Sequence, residues 1–393
     1  MNFIASWGAD LAGKLGEVAT PKDTGSPEFR LRQSIREYNA LLDRSDPTEP
    51  AGSPSTKCVT SKKAERRKKR RELIRKTQNN AALEKSPARK KQLLATANRF
   101  AEDMDRVEDA KLSLHAYTAN EDPAKQASFL KPLRDQPPPG FKNVSLDQVA
   151  TDFGVDREKV EKLMQNKDCP TQKIMIYERD TEVLGPGPKY TVAFRGSTCD
   201  ERDWNNNGRN EFGFEAPHQK NAARLGNFLK AGADEMGIAI DDLVSVTGHS
   251  KGGSEAQAFA ATSKCSARVY NPAGFNTKQY EETVGVEPEQ MRIDRTTIVS
   301  RSEDGTVIPS TQDAVKTDPL FYAQQHGLSA FVMKTPITNG PPRELAPIDP
   351  NLSVPCTEQS DSEAHSMLQV IEALERDKAS DEKALQEYSD SRP

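Results

Sequence analysis

The stretch Gly248-His249-Ser250-Lys251-Gly252-Gly253 sets a serine between two glycines, with the β-branched run Val244-Ser245-Val246-Thr247 before it and the helix-forming residues 254–262 after it. Strand, tight turn and helix in that order hold a hydroxyl at the amino end of a helix. The glycines two residues to either side let the backbones pass closely. Ser250 is on this reading a nucleophile. A serine hydroxyl is weak at neutral pH, so it needs a base, a group that orients the base, and donors for the oxyanion that forms.

The chain has five histidines, which keeps the search for a base short. His249 lies on the elbow itself. His115 and His218 precede the serine, against the order serine, acid, histidine expected of this arrangement, and His326 and His365 remain. The acid should end a strand that follows the nucleophile. Residues 297–305 supply Asp304 there, with Glu303 as its near competitor. For the oxyanion, the amide of Lys251 is one donor. The loop Arg195-Gly196-Ser197, after the strand-like Val192-Ala193-Phe194, supplies a second through the amide and hydroxyl of Ser197.

The elements that must carry these groups follow from periodicity. Residues 173–178 and 190–194 read as strands joined through Gly185-Pro186-Gly187-Pro188 in a hairpin-like pair. Residues 218–236 read as a helix, and residues 243–246, 267–270 and 296–300 as further strands. This alternation implies an α/β fold: a central, mostly parallel sheet with helices on its faces.

Residues 194–197 (Phe-Arg-Gly-Ser), Asp203-Trp204 and the Gly248-to-Gly253 elbow together resemble the class 3 (fungal-type) lipase family and its bacterial phospholipase relatives, which are α/β-hydrolases. Tyr270-Asn271-Pro272-Ala273-Gly274-Phe275 is similar to the bacterial branch. The resemblance covers roughly residues 105–375. It implies Ser197 as the oxyanion serine and His365, at the head of a late helix, as the base in preference to His326. It also implies Asp304 as the acid, although Asp304-Gly305-Thr306-Val307-Ile308-Pro309 departs in spacing from the family's Asp-x-Val-Pro. The implied activity is hydrolysis of lipid carboxylic esters through an acyl-enzyme, as a phospholipase A or lipase, with no metal or organic cofactor. Where such lipases carry an apolar flap, residues 200–210 are polar, which favours substrates with polar headgroups. A soluble esterase or thioesterase, or a catalytically silent lipid-binding module, is the alternative.

The rest of the chain is of another character. Of its 393 residues 35% are hydrophobic and 29% charged, which divides it into a globular part and polar, partly disordered sequence. The expected organisation is a basic helical and partly disordered extension at 1–100, a lipase-like domain at 101–378 and a polar tail at 379–393. Residues 1–19 place Phe3, Ile4, Trp7 and Leu11 on one helical stripe. Residues 62–76 carry ten Lys or Arg against Glu65 and Glu72. That block reads as a solvated helix or as a contact for anionic membrane surfaces. It holds no aromatic residue for base stacking and the net charge is −4, so no nucleic-acid partner is expected. The cysteines, five and widely spaced, read as ordinary thiols. With neither a Sec-type leader nor a membrane span, the chain is expected to be cytoplasmic as made. Its organisation resembles that of bacterial effectors exported by specialised secretion systems.

Overall fold

The computed structural model describes residues 56–118, 136–197, 201–211, 215–273, 299–301, 307–309, 311–315, 343–345 and 367–391. The apolar stripe at Phe3, Ile4, Trp7 and Leu11 lies outside them, as do Glu303, Asp304, His326 and His365.

In chain order come α1 (Thr56–Ala82), α2 (Pro87–Thr118), β1 (Phe141–Asn143), α3 (Leu146–Asp152), α4 (Arg157–Met164), β2 (Ile174–Arg179), α5 (Thr181–Leu184) and β3 (Tyr190–Phe194). They are followed by α6 (Glu201–Glu211), α7 (Pro217–Glu235), α8 (Ile240–Leu243), β4 (Val244–His249), α9 (Lys251–Ser263) and β5 (Ser266–Tyr270). The last are β6 (Val299–Arg301), β7 (Val307–Pro309), β8 (Thr311–Val315), β9 (Arg343–Leu345) and α10 (Met367–Asp390). Helix α2 runs through position 100 and α10 through position 378.

Among the described residues the main sheet has the order β1-β2-β3-β4-β5-β8-β9. Strands β3, β4, β5, β8 and β9 run parallel, whereas β1 and β2 are antiparallel to their neighbours. The expected mostly parallel sheet is therefore a mixed one. The reason is local: residues 180–189 contain only the single turn α5 and a Gly-Pro-rich segment, too short for the crossover that parallel pairing requires. Of the strand expected at 296–300, residues 296–298 lie outside the described residues, and Val299–Arg301 pairs with β7 in a separate two-stranded ribbon, leaving the place beside β5 to β8.

Alternation along the strands sorts the two faces. Ile174, Ile176, Val192, Phe194, Val244 and Val246 pack with Leu225 and Leu229 of α7 and Phe259 of α9. Each fully buried side chain of this size contributes about 2 kcal/mol relative to exposure, which makes this layer the main core. Met175, Tyr177 and Ala193 point to the other face, against Leu112 and Ala116 of α2. On β4 that second face carries hydroxyls. Thr247 Oγ1 lies 2.9 Å from Ser113 Oγ and accepts or donates there, and Ser245 Oγ lies 3.1 Å from Thr191 Oγ1. Helix α2 thus docks on β4 partly through polar contacts.

Helices α1, α2 and α10 share the seam Ile74, Ala97, Phe100, Met104 and Leu385. Ion pairs lace it: Arg70 with Glu382, Arg99 with Asp381, and Lys111 with Glu375 at 3.0 Å. The basic block of residues 62–76 lies within α1, and several of its cations are turned inward. Lys63 pairs with Glu108 at 2.6 Å, and buried Arg67 donates to Asp105, Leu184 O and Met104 O. Among the described residues no helix is long and apolar enough to cross a membrane.

Candidate active site

Ser250 connects β4 to α9 with φ 56° and ψ −125°, a backbone conformation that a residue bearing a Cβ adopts only at a cost of order 1–3 kcal/mol. Its surroundings impose that shape. The Ser250 N–H donates to Tyr270 O at 3.1 Å, and the Ser250 carbonyl accepts from the N–H groups of Gly253 and Ala273. A Cβ at Gly248 would stand 2.1 Å from the Gly252 carbonyl oxygen, and one at Gly252 would stand 2.2 Å from Phe194 O. Both glycines are therefore required by contact, one where the helix folds back on its strand and the other where it meets the end of β3.

That second contact also places the loop Arg195-Gly196-Ser197. Parallel pairing sets Phe194 beside Gly248, so Arg195-Gly196-Ser197 leaves β3 next to the elbow, at the carboxyl ends of the strands. Lys251 is the first residue of α9, where a backbone N–H has no intrahelical acceptor. Asn207 of α6 donates to Ser197 Oγ at 2.8 Å, which leaves the serine proton to donate elsewhere. The structure thus sets residues 194–196, which lead into Ser197, against the backbone of the turn that carries Ser250 and Lys251. Asp304 falls in the connection between β6 and β7, and His365 shortly before α10; both are outside the described residues.

The polar segment read at 200–210 forms α6, and its inner side is buried. Asp203 accepts from Thr171 Oγ1 at 2.6 Å and from Lys251 Nζ at 2.7 Å, while Asn206 donates to Gln219 at 2.9 Å. Lys251 Nζ also stands 3.0 Å from His218 Nδ1 and 3.4 Å from Glu255. Burial alone would push the Glu255 carboxyl up. The Lys251 charge and hydrogen bonds from His218 and Gln172 outweigh it and hold Glu255 below the usual carboxylate range. Sequence reasoning used only the amide of Lys251 and missed this side-chain cluster, although Lys251 and Glu255 stand at the i, i+4 spacing of a helical ion pair.

A second missed group is Tyr117, at the end of α2. Its hydroxyl lies 2.8 Å from His249 Nδ1 and accepts from the Gly196 N–H. Burial pushes the phenol up, so it stays protonated. Asp109, Ser113 and Tyr117, spaced by four, meet Arg268, Thr247 and His249 in turn along the strand ends. Other nucleophiles fare worse: Cys169 and Cys265 are buried, and burial pushes both thiols up to about 12. His115, bonded to the Tyr177 hydroxyl at 2.7 Å, is pushed down to about 4 by burial, which keeps it neutral and far from the poise of a general base.

Residues 108–342 match the family model of the Tle-like phospholipase domain, which is more than half of the chain. The chain belongs to that phospholipase-like family. The matched region starts on α2 and takes in α6, the turn at Ser250 and the loop that ends in Ser197. Membership supports a hydrolytic enzyme whose substrates are lipids. No curated protein sequence matches the chain.

Proposed function

We propose that the protein is a serine-dependent phospholipase A, or a related lipase, of α/β-hydrolase type, similar to the class 3 lipases. The observation that carries this reading is the strained backbone of Ser250 between two glycines that have no room for a Cβ. Strain of this kind, over-determined by its surroundings, is what a nucleophile elbow requires.

In the proposed reaction Ser250 Oγ attacks the ester carbonyl carbon while His365 takes the serine proton and Asp304 orients the imidazole. The amides of Ser197 and Lys251 hold the oxyanion, with the Ser197 hydroxyl as a third donor. His365 returns the proton to the departing lysophospholipid oxygen, and water then releases the fatty acid from Ser250. The polar, inwardly bonded α6 supports a phospholipid over an apolar triglyceride, since it offers no greasy flap. The domain limits at 100 and 378, anionic-surface contact through outward-facing Lys68, Lys69 and Lys76, and delivery as an exported effector belong to the same proposal.

Incubation with phosphatidylcholine vesicles tests it. Free fatty acid and lysophospholipid should appear with wild-type protein and vanish with Ser250→Ala. Release of a phosphorylated headgroup without fatty acid would overturn the acyl-ester reading, and no turnover of any lipid or short-chain ester would favour the silent lipid-binding module.

A further inference from the structure

Arg67, Arg71 and Arg75 recur at intervals of four along α1, so they share one face of that helix. They line a depression of about 240 Å³ that is completed by Arg179 from the end of β2 and by Asp105 from α2. Among the described residues Asp105 is the one carboxylate in the lining, and it is already shared, accepting from Arg67 Nη2 at 2.7 Å and from Arg179 Nη2 at 2.8 Å. Four guanidinium groups therefore line one concave surface together with Asp105, and Glu108 stands behind it, 3.9 Å from Arg67 Nη1. Arg71 reaches a backbone carbonyl, Leu184 O, at 3.3 Å, and among the described residues no carboxylate lines the pocket beside it or beside Arg75.

From this we infer that the pocket is a binding site for a phosphate monoester group, held by Arg71 and Arg75 on a frame fixed by Arg67, Arg179 and Asp105. Guanidinium groups present forked pairs of N–H donors that match phosphate oxygens, and a dianion relieves their mutual repulsion. The volume admits a phosphoryl group with a small substituent and excludes a folded partner segment. The site is separate from Ser250. Glu178 pairs with Tyr190, and Tyr190 with Val244, so Arg179 lies at the end of the sheet opposite the elbow, about 20 Å from the level of Ser250 along the strand. The inference does not depend on the hydrolytic reading. The phosphoryl group can be that of a lipid headgroup or of a soluble compound.

Calorimetric titration of the full-length protein with inorganic phosphate, at ionic strength held constant with sodium chloride, tests the site. Wild-type protein should bind saturably. Arg71→Gln/Arg75→Gln should bind about tenfold more weakly or worse, and Lys68→Gln/Lys69→Gln, on an exposed part of the same helix, should bind as wild type. If the double arginine variant melts early, Arg75→Gln alone replaces it. Equal weakening by the arginine and lysine pairs, or no saturable binding by wild type, would overturn the proposal.

A second arm, in a Ser250→Ala background, compares phosphatidylcholine vesicles doped with phosphatidic acid or with phosphatidylglycerol. A preference for phosphatidic acid that phosphate competes away and that needs Arg71 and Arg75 assigns the site to a lipid headgroup. Phosphate binding without that preference assigns it to a soluble phosphate. Hydrolysis of a soluble short-chain ester should be unchanged in Arg71→Gln/Arg75→Gln, so the site and the catalytic reading can fail separately.

Discussion

Lys251 Nζ stands 2.7 Å from Asp203 Oδ1 with both side chains fully buried, which ties the residue after Ser250 to α6, the helix that follows Ser197. Removing one partner strands a charge: Lys251→Met leaves Asp203 and Glu255 facing each other without a cation. The expected loss is about 3–5 kcal/mol in denaturant unfolding. Asp203→Asn, which keeps a hydrogen-bond acceptor, should cost less. Equal stability of Lys251→Met and wild type would show that the pair does not hold α6.

The backbone of Ser250 makes a prediction of opposite sign. Glycine adopts φ 56° without a Cβ penalty, whereas alanine does not. Ser250→Gly should therefore be more stable than Ser250→Ala by about 1 kcal/mol, although both lack the hydroxyl. Thermal melts of the two variants side by side check it.

Tyr117→Phe removes the hydroxyl that meets His249 and the Gly196 N–H while keeping the ring. We expect kcat on a short-chain ester to fall about tenfold with KM nearly constant, because the loop holding Ser197 loses an anchor felt at the oxyanion. Stability should change by only about 1 kcal/mol. An unchanged kcat would limit Tyr117 to a packing role.

His115 gives the fold a pH dependence. Its ordinary value is 6.5 and burial lowers it to about 4 in the folded chain. Between these values the unfolded state holds the extra proton, so stability is complete above about 6.5 and declines as pH falls towards about 4. This one group accounts for up to about 3 kcal/mol. The slope should flatten in His115→Gln, measured by urea unfolding across that range. An equal slope in both proteins would assign the acid sensitivity elsewhere.

What could be read from the amino-acid sequence follows its local signals. The β-branched run ending in glycine gave away β4 and the elbow, and the Gly-Pro-rich turn marked the pairing of β2 with β3. Strand β8, Thr311-Gln312-Asp313-Ala314-Val315, has no clean apolar alternation and went unread. The polarity of residues 200–210 was read only as the want of an apolar flap, and that reading did not show that Asp203, Asn206 and Asn210 of α6 are buried. Local sequence does not show that a polar helix bonds inward to Lys251 and Gln219. Tyr117 carried no signal at all, being 132 residues from His249. Within the basic block, charge alone could not distinguish Arg67, held by α2 and α5, from exposed Lys68.

The central claim is that Ser250 is the nucleophile, and covalent labelling tests it most directly. A fluorophosphonate probe should leave one adduct per chain, mapped by peptide mass spectrometry to Ser250, with labelling and fatty-acid release lost together in Ser250→Ala. An adduct on another serine, or fatty-acid release that survives in unlabelled Ser250→Ala, would contradict the account.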